Sequence, residues 1–215
     1  METVLEVKNI KKSYDDIKVL DNFSLIIHKQ EFVGIKGTSG AGKSTLLNIL
    51  GLLDTQDKGD IILFEECNVK PFSRKAEKLL KHKIGYLFQN FALLDNETVY
   101  KNMYMAIAHH NIKQKQEKIS KALEEVGLAG YEQKKVCECS GGEQQRIAIA
   151  RLLIKPCELI LADEPTGSLD LENKKIIFSL LKKLQNMGKT LVVVTHDEEL
   201  LEVVDRVIEI CKVDR

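Results

Sequence analysis

The sequence predicts an α/β fold in which a mainly helical insertion interrupts a strand-rich core. Two near-continuous apolar runs, at residues 158–163 and 190–196, are typical of parallel strands buried on both faces. A helical pattern separates these runs, and a glycine-rich turn joins an earlier apolar strand to another helix. Between about residues 91 and 155 the helical pattern replaces the strand pattern, which predicts the insertion.

Strand signals dominate the first 90 residues. Apolar and polar positions alternate over residues 4–10, as they do in a half-buried strand. Further strands are predicted at residues 23–28, 31–37, 60–64 and 83–89. A helix is predicted at residues 44–53, directly after the glycine-rich turn. This part of the chain therefore supplies most of the predicted strands.

Helices are predicted over most of residues 98–154. The segment that ends near Gly127 is amphipathic, with Ile119 and Leu123 on one face. Pro156 ends the next helix, because proline cannot donate the helical hydrogen bond. The insertion is therefore predicted to be a small helical subdomain.

Strand, helix and strand alternate again after the insertion. Strands are predicted at residues 158–163, 190–196 and 207–210, with a helix at 173–188 between the first two. We expect a single domain over residues 1–215. Its core takes residues 1–90 and 156–215, and the helical subdomain takes residues 91–155.

The composition is that of a globular protein with balanced charge. Charged residues make up 30% of the chain and apolar residues 44%. Lysine and arginine total 32, as do aspartate and glutamate, so the formal net charge is +0. A protein that holds nucleic acid mainly through its phosphates usually carries a basic excess. We therefore expect no nucleic-acid partner.

The apolar residues also bear on location. No run of the sequence reaches the roughly 20 apolar residues that span a bilayer. The N-terminal segment METVLEVKNIKKSY lacks the apolar stretch of a signal peptide. Five cysteines, an odd number in a chain of this kind, argue against a disulfide framework. We expect a cytoplasmic protein.

The segment GTSGAGKS, residues 37–44, fits the phosphate-binding pattern G-x-x-x-x-G-K-[ST] without a mismatch. Glycines let the backbone turn its N–H groups inward, and the following helix N-terminus favours an anion. Lys43 can reach the terminal phosphates, and the Ser44 hydroxyl can ligate Mg²⁺. An ordinary glycine-rich turn would leave the lysine and the serine unexplained, so we predict a nucleotide site.

Two carboxylates support this prediction. Asp163 and Glu164 follow an apolar strand, and ligands of open α/β sheets gather at the carboxyl ends of the strands. Asp163 can hold Mg²⁺ through water, and Glu164 can polarise the attacking water. Two solvated carboxylates after a strand are common, so this signal depends on the phosphate loop.

The segment SGGEQQR, residues 140–146, is a second candidate anion site. Ser140 is a helix N-cap with Glu143 three positions later, which is the capping-box pattern. Gly141 and Gly142 are poor helix formers and cost stability unless something approaches the backbone closely. A bare helix N-terminus with small residues binds anions. Two phosphate cradles in one chain suggest a triphosphate held from both sides.

With these motifs the chain resembles the ATP-binding cassette (ABC) ATPases over essentially its full length. SGGEQQR resembles the signature motif of that family, and the remaining motifs occur in family order. Gln89 matches the glutamine loop, Asp170 the loop after the catalytic glutamate, and His196 the switch histidine. Tyr14 lies where the family stacks an aromatic ring on adenine. The resemblance implies a P-loop NTPase (RecA-like) core, an N-terminal antiparallel β subdomain and an inserted α-helical subdomain.

The resemblance also implies the site residues. The expected ATP-binding residues are Tyr14, Val19, Gly37, Thr38, Ser39, Gly40, Ala41, Gly42, Lys43, Ser44, Thr45 and Asp163. The expected catalytic residues are Glu164, His196, Lys43 and Gln89. The expected Mg²⁺ ligands are Ser44, Gln89 and, through water, Asp163. Two copies of the chain are expected to sandwich two ATP molecules, with Ser140, Gly141, Gly142, Glu143 and Asp170 acting in trans.

Some of these residues have plainer interpretations. Tyr14 can be a core aromatic at a strand end, and His196 can cap a helix before Asp197. Gln89 alone would mean nothing, because surface glutamines are common. Cys137 and Cys139 are too closely spaced for CxxC geometry, and we interpret both as small apolar filler.

The sequence departs from the family pattern at three positions. Cys139 stands where the family usually has leucine, Glu143 replaces the usual glutamine, and Ser168 replaces a frequent asparagine. None of these changes removes a catalytic group. We therefore still expect ATP hydrolysis.

The resemblance further implies a separate transmembrane permease, with the chain peripheral on the inner face of the cell membrane. The stretch 91–103 is the expected contact. The closest resemblance is to the branch of macrolide exporters and lipoprotein-release ATPases, and within it to bacteriocin export cassettes of Gram-positive bacteria. The expected cargo is therefore a peptide or bacteriocin, an antimicrobial or a lipophilic molecule.

Two rival functions belong to other classes. A cassette ATPase of chromosome maintenance or DNA repair would carry long heptad arms, whereas the insertion here is short. A regulatory cassette that acts on a cell-envelope or division complex without moving a substrate stays open.

Overall fold

The structure, a computed structural model, describes residues 2–167 and 169–213. The strands are β1 Thr3–Tyr14, β2 Ile17–His28, β3 Phe32–Lys36, β4 Lys58–Leu63, β5 Glu66–Cys67, β6 Ile84–Leu87, β7 Leu159–Asp163, β8 Thr190–Val194 and β9 Arg206–Glu209. The helices are α1 Lys43–Leu50, α2 Arg74–His82, α3 Val99–Ile107, α4 Lys115–Glu125, α5 Gly141–Ile154, α6 Leu171–Asn186 and α7 Glu198–Val203.

The strands form two sheets of different kinds. One is antiparallel, with strand order β2-β1-β4-β5, and takes its strands from the first third of the chain. The other is parallel, with order β6-β7-β8-β3-β9. In the parallel sheet, β3, β7 and β8 are buried almost throughout, as strands covered on both faces must be. This is the predicted α/β fold with an antiparallel β sheet.

The helices between β6 and β7 pack on one another. Val99 and Met103 of α3, Ile119 and Leu123 of α4 and Ile147 of α5 are all fully buried in one apolar cluster. The apolar face predicted for α4 is the buried one. Gly127, just after that helix, has φ 73°, a backbone conformation that glycine adopts without strain.

Several elements were not predicted. The two N-terminal strands are longer than expected. Their added ends, residues 11–14 and 17–22, pair with each other but do not alternate in polarity, so no strand pattern marks them. Helix α2 was missed because only Ala76 and Leu79 are buried on an otherwise charged segment. Helix α7 is six residues long and β5 only two, which is too short for a periodic signal.

The cysteine pair before α5 is split by the fold. Cys139 is buried, and its thiol donates to the Lys135 carbonyl at 3.6 Å, whereas Cys137 is exposed. Interpreting both as packing residues was therefore wrong for Cys137. Burial raises the pKa of the Cys139 thiol, so it packs as a neutral group.

Within residues 2–167 and 169–213, no helix combines the length and the apolar character that crossing a membrane demands.

Candidate active site

The loop of residues 37–44 joins β3 to α1 at the carboxyl edge of the parallel sheet. Gly40 and Gly42 have φ of 76° and 92°, which favours glycine at both positions. A Cβ on Gly42 would lie 2.8 Å from a Val19 methyl and 2.9 Å from the Val19 carbonyl oxygen. A Cβ on Gly40 would meet nothing within 4 Å in the part of the chain that the structure describes. The loop is thus packed against β2 on one side and open on the other.

The Lys43 side chain lies across this loop. Its ammonium donates to the carbonyl oxygens of Gly37 at 2.8 Å and Thr38 at 3.0 Å. Thr38, Ser39 and Gly40 are exposed, so the open side of the loop is accessible to a ligand. An ammonium poised above an exposed loop at a helix N-terminus fits a terminal phosphate.

Ser44 and Asp163 meet at the same edge. The Ser44 hydroxyl donates to a carboxylate oxygen of Asp163 at 3.4 Å, although the two residues are 119 positions apart. Burial raises the pKa of Asp163, and the nearby Glu164 carboxylate raises it further, while Ser44 and Lys43 act in the opposite direction. A half-buried carboxylate beside a hydroxyl is an oxygen donor set of the kind that Mg²⁺ prefers, so these residues fit that ion.

Glu164 and His196 lie together because their strands are neighbours. Asp163 of β7 pairs with Val194 of β8, which places the residues that follow each strand side by side. The Nδ1 atom of His196 is 2.8 Å from Glu164 Oε1, and the Thr195 hydroxyl donates to Glu164 Oε2 at 3.3 Å. Glu164 also has a φ of 44°, which is unusual for a residue with a side chain.

The exposure of these two side chains differs. The His196 side chain is 72% exposed and the Glu164 side chain only 15%. The histidine can therefore meet a ligand from solvent, while the carboxylate stays in a fixed position behind it. Asp197, not His196, is the residue at the start of α7, so the capping interpretation of His196 is wrong.

Tyr14 is the last residue of β1 and is 45% exposed, so it is not a core aromatic. Its hydroxyl donates to Asp54 at 2.5 Å. The ammonium of Lys12, which is buried, lies 2.9 Å from the same carboxylate and 4.8 Å from the centre of the Tyr14 ring. The ring is therefore held in place, with exposed surface left for a planar ligand.

The segment 140–146 begins α5 with the predicted capping box. The Glu143 N–H donates to the Ser140 hydroxyl at 3.3 Å, and the Ser140 N–H donates to the Glu143 carboxylate at 2.6 Å. The Tyr131 hydroxyl also donates to Glu143 at 2.6 Å. This hydrogen bond, helped by Ser140 and by the charge of Lys134, lowers the pKa of Glu143 to about 2. The Glu143 carboxylate is thus engaged within its own chain.

The two glycines of this segment face different surroundings. Among the described residues, a Cβ on Gly141 would meet nothing within 4 Å, whereas one on Gly142 would lie 2.7 Å from the Asn173 side-chain oxygen. In the described part of the chain, no hydrogen bond joins residues 140–143 to residues 37–44. The structure therefore brings the phosphate loop, Asp163, Glu164 and His196 together in one group, and the segment 140–143 makes its contacts elsewhere.

The other predicted residues are placed as follows. Gln89 is exposed in the turn after β6, and Asp170 is the N-cap of α6. Ala41 is a buried residue at the base of the phosphate loop itself, and Thr45 is half-buried in α1. Ser168 lies outside the described residues.

Sequence reasoning missed several residues that hold the site. Lys12 and Asp54 orient Tyr14, Thr195 bonds Glu164, and the buried Gln145 donates to the Pro165 carbonyl at 2.7 Å. The signal for Gln145 was present, because an uncharged polar residue there falls on the buried face of α5. For Lys12 and Asp54 no local pattern marks the pairing, since the residues are 42 positions apart.

Comparison with known proteins places this arrangement in one family. The family profile described as "ABC transporter" matches residues 20–167. The uncharacterized ABC transporter ATP-binding protein YvrO of Bacillus subtilis is 36% identical over 211 residues, which cover 95% of this chain and 92% of that protein. The macrolide export ATP-binding/permease protein MacB of Campylobacter jejuni is 41% identical over 206 residues.

The chain spans about a third of the length of that MacB relative, since the match covers 32% of it and 95% of this chain. A solved structure extends the likeness to the fold. The ATP-binding cassette MJ0796, in a dimeric post-hydrolysis state bound to ADP and Pi, superposes with a TM-score of 0.88 at 35% identity. The superposition covers 98% of this chain and 97% of the other.

Proposed function

The chain belongs to the ABC transporter family and is an ATPase, and we propose that it drives a separate membrane permease that exports its substrate. One observation carries the nucleotide part of this proposal. Lys43, Ser44, Asp163, Glu164 and His196 come from distant parts of the sequence and meet at the carboxyl edge of the parallel sheet. Together they supply a phosphate cradle, an oxygen donor set and a carboxylate–imidazole pair.

In the proposed reaction, water attacks the γ-phosphorus and the bond to the β,γ-bridging oxygen breaks, which yields ADP and phosphate. Glu164 orients the water and takes up its proton, while Thr195 and His196 hold the carboxylate. Lys43 and His196 stabilise the charge on the transferred phosphoryl group. Mg²⁺, held by Ser44, Gln89 and Asp163 through water, would neutralise the phosphate charge when bound.

The proposed active unit contains two copies of the chain. Each ATP lies between residues 37–45 of one copy and a half-site of the other that contains Ser140, Gly141, Gly142, Glu143 and Asp170. Within that half-site the Glu143 carboxylate stays bonded to Ser140 and Tyr131 of its own chain. The exposed N-terminus of α5 supports this arrangement, because a Cβ on Gly141 would meet none of the described residues within 4 Å and leaves room for a ligand there. The dimeric state of the related cassette supports it as well.

Tyr14 is proposed to stack on the adenine ring. Tyr14→Ala should raise the KM for ATP by about tenfold with little change in kcat, because base–aromatic stacking contributes roughly 1–3 kcal/mol. Steady-state ATPase assays measure both constants. Ile26→Ala is a matched control, since Ile26 is 43% exposed on the neighbouring strand. A parent-like KM in Tyr14→Ala would show that the ring does not bind the nucleotide.

The proposed permease contact is a groove of about 460 Å³ between α3 and the core. Apolar Leu53, Leu94, Met105 and Ala106 line it together with basic Lys81 and Arg151, and none of the described lining residues is acidic. Of the predicted contact stretch 91–103, Ala92, Leu94 and Asn102 reach the groove, whereas Val99 and Met103 are buried in the core. This lining suits an apolar segment that carries an acidic residue.

The groove is tied to the nucleotide machinery. Arg151 of α5 donates to the carbonyl oxygens of Ala92 at 2.7 Å and Phe91 at 2.9 Å. These two residues follow the Gln89 turn and have φ of 47° and 62°. A movement of the Gln89 turn can therefore reach both the groove and the helix that begins at the segment 140–146.

Met105→Glu should weaken the recovery of the chain with membranes by at least about tenfold, because the new carboxylate would pair with the basic lining of the groove and repel the acidic residue of the partner segment. The basal ATPase activity should stay unchanged. The measurement is the membrane-bound fraction in cells that also produce the permease. Met187→Glu is the matched control, since Met187 and Met105 are 52% and 53% exposed. Equal loss in both variants would contradict the groove as the contact.

The proposed cargo is a peptide or bacteriocin, an antimicrobial or a lipophilic molecule, and the macrolide export relative supports the exporter branch. We propose that the chain is cytoplasmic and peripheral on the inner face of the membrane through its permease. The alternative is a cassette that regulates a cell-envelope or division complex. ATP-dependent movement of a labelled peptide into vesicles that contain the chain and its permease would separate transport from regulation.

A further inference from the structure

Asn173, in the first turn of α6, connects two parts of the chain that the sequence separates widely. Its backbone N–H and its side-chain amide both donate to the Asp170 carboxylate, each at 2.8 Å. Its side-chain oxygen accepts from the Arg146 guanidinium of α5 at 2.7 Å. One side chain therefore bonds both the loop residue Asp170 and the helix that begins at Gly141.

The contact with α5 is close as well as polar. A Cβ on Gly142 would lie 2.7 Å from the side-chain oxygen of Asn173 and 2.9 Å from Cγ of the same side chain. The glycine therefore leaves room for this amide. The hydrogen bonds from Asn173 also lower the pKa of Asp170, which keeps its carboxylate charged. Asn173 thus contacts both Asp170 and the first turn of α5.

A second hydrogen bond attaches the same helix to the segment that follows β7. The fully buried Gln145 donates to the carbonyl of Pro165, the residue after Glu164. Helix α5 is therefore attached at consecutive positions, through Gln145 to the end of β7 and through Arg146 to Asn173. The N-terminus of α5 and Asp170 are braced on the same framework.

We propose that Asn173 is a positioning residue that holds Asp170 and the N-terminus of α5 as one rigid half-site for the ATP bound by the second copy. This inference rests on the proposed two-chain arrangement. The half-site contacts a ligand only when the copies meet, so its geometry must be set beforehand by contacts within the chain. The Arg146–Asn173–Asp170 chain of hydrogen bonds sets it, and neither Asn173 nor Arg146 needs to touch the nucleotide.

The test compares dimerisation with nucleotide binding by the monomer. The experiment uses a Glu164→Gln background, in which hydrolysis is expected to be slowed by about 10²–10⁴-fold. In it, Asn173→Ala should raise the dissociation constant of the ATP-dependent dimer by about tenfold, measured by size-exclusion chromatography or ultracentrifugation. Binding of ATP to the dilute monomer should stay within about twofold, since the phosphate loop is untouched. If Asn173 only stabilised the fold, Asn173→Ala would weaken ATP binding by the monomer as well as dimerisation, and it would lower the melting temperature.

Two further variants sharpen the result. Asn173→Asp keeps the acceptor for Arg146 but places a like charge beside Asp170, so it should also weaken the dimer. Arg146→Met should weaken it and be non-additive with Asn173→Ala, because the two residues share one contact. Lys175→Ala, an exposed change two positions further along α6, is the matched control.

The outcomes separate this inference from the proposed function. If Asn173→Ala and Asn173→Asp both dimerise as tightly as their background, Asn173 has no positioning role, while the two-chain site stands. If the Glu164→Gln background itself forms no dimer with ATP, the two-chain site fails and the inference fails with it. Full additivity of Arg146→Met and Asn173→Ala would likewise overturn the proposed connection.

Discussion

Glu164→Gln is expected to lower kcat for ATP hydrolysis by about 10²–10⁴-fold, the usual contribution of a positioned general base. The amide cannot take the proton from water but is nearly the same size, and the Thr195 hydroxyl can still donate to its oxygen. ATP should therefore still bind. Because the nucleotide is not consumed, the variant should accumulate as an ATP-bound dimer, which size-exclusion chromatography detects.

Glu158→Gln is the matched control for this change. Glu158 immediately precedes β7 and forms an ion pair with Lys83 at the amino end of the strand, opposite to Glu164. The same chemical substitution there should leave kcat close to that of the parent, because a partly exposed ion pair at the far end of the strand contributes little and lies away from the nucleotide site. Parent-like hydrolysis by Glu164→Gln would refute the role of Glu164 and direct attention to another base.

Gly141→Asp is expected to abolish ATP hydrolysis while the isolated monomer binds ATP as the parent does. The Cβ of the introduced side chain would meet no atom of the described residues within 4 Å, so the fold should tolerate the change. In the two-chain arrangement, however, it would place a carboxylate against the triphosphate of the second copy, and such like-charge contacts cost several kcal/mol. Gly142→Asp is a poorer test, because it would also displace Asn173.

A charge control and a mixing experiment complete this test. Gln116→Asp adds the same charge to the exposed first turn of α4 and should have no effect on hydrolysis. Lys43→Ala and Gly141→Asp should each be inactive alone. When the two are mixed, one of the two sites in each mixed dimer has both halves intact, so hydrolysis should reappear. Loss of monomer binding in Gly141→Asp, with no recovery on mixing, would place residue 141 in the site of its own chain.

Much of the fold follows from local pattern. The runs at residues 158–163 and 190–196 are apolar because β7 and β8 are covered on both faces. A strand buried on both faces needs apolar residues at consecutive positions, which is a pattern that the sequence shows directly. Helix α5 was predicted from its capping box and from Pro156, and both lie where a helix must begin and end. Helix α2 was not predicted, because its two buried residues are too few to make a periodic pattern.

The candidate site also contains features that the sequence predicts and features that it does not. The phosphate loop is recognisable from its sequence, because its glycines and its lysine act within eight consecutive residues. The meeting of Ser44 with Asp163, and of Glu164 with His196, could be predicted only through the rule that carboxyl ends of parallel strands share an edge. The Lys12–Asp54 pair behind Tyr14 follows no such rule.

By itself, the sequence determined the α/β class and the helical insertion, and it indicated the family and the candidate phosphate-binding residues, since each is encoded in short periodic or contiguous patterns. Only the tertiary structure decided that Gly141 is open while Gly142 touches Asn173, and that Arg146 and Asn173, 27 positions apart, share a hydrogen bond. The physical reason is that half-buried polar side chains find partners through the packing of one element on another. No regular spacing along the chain records that packing.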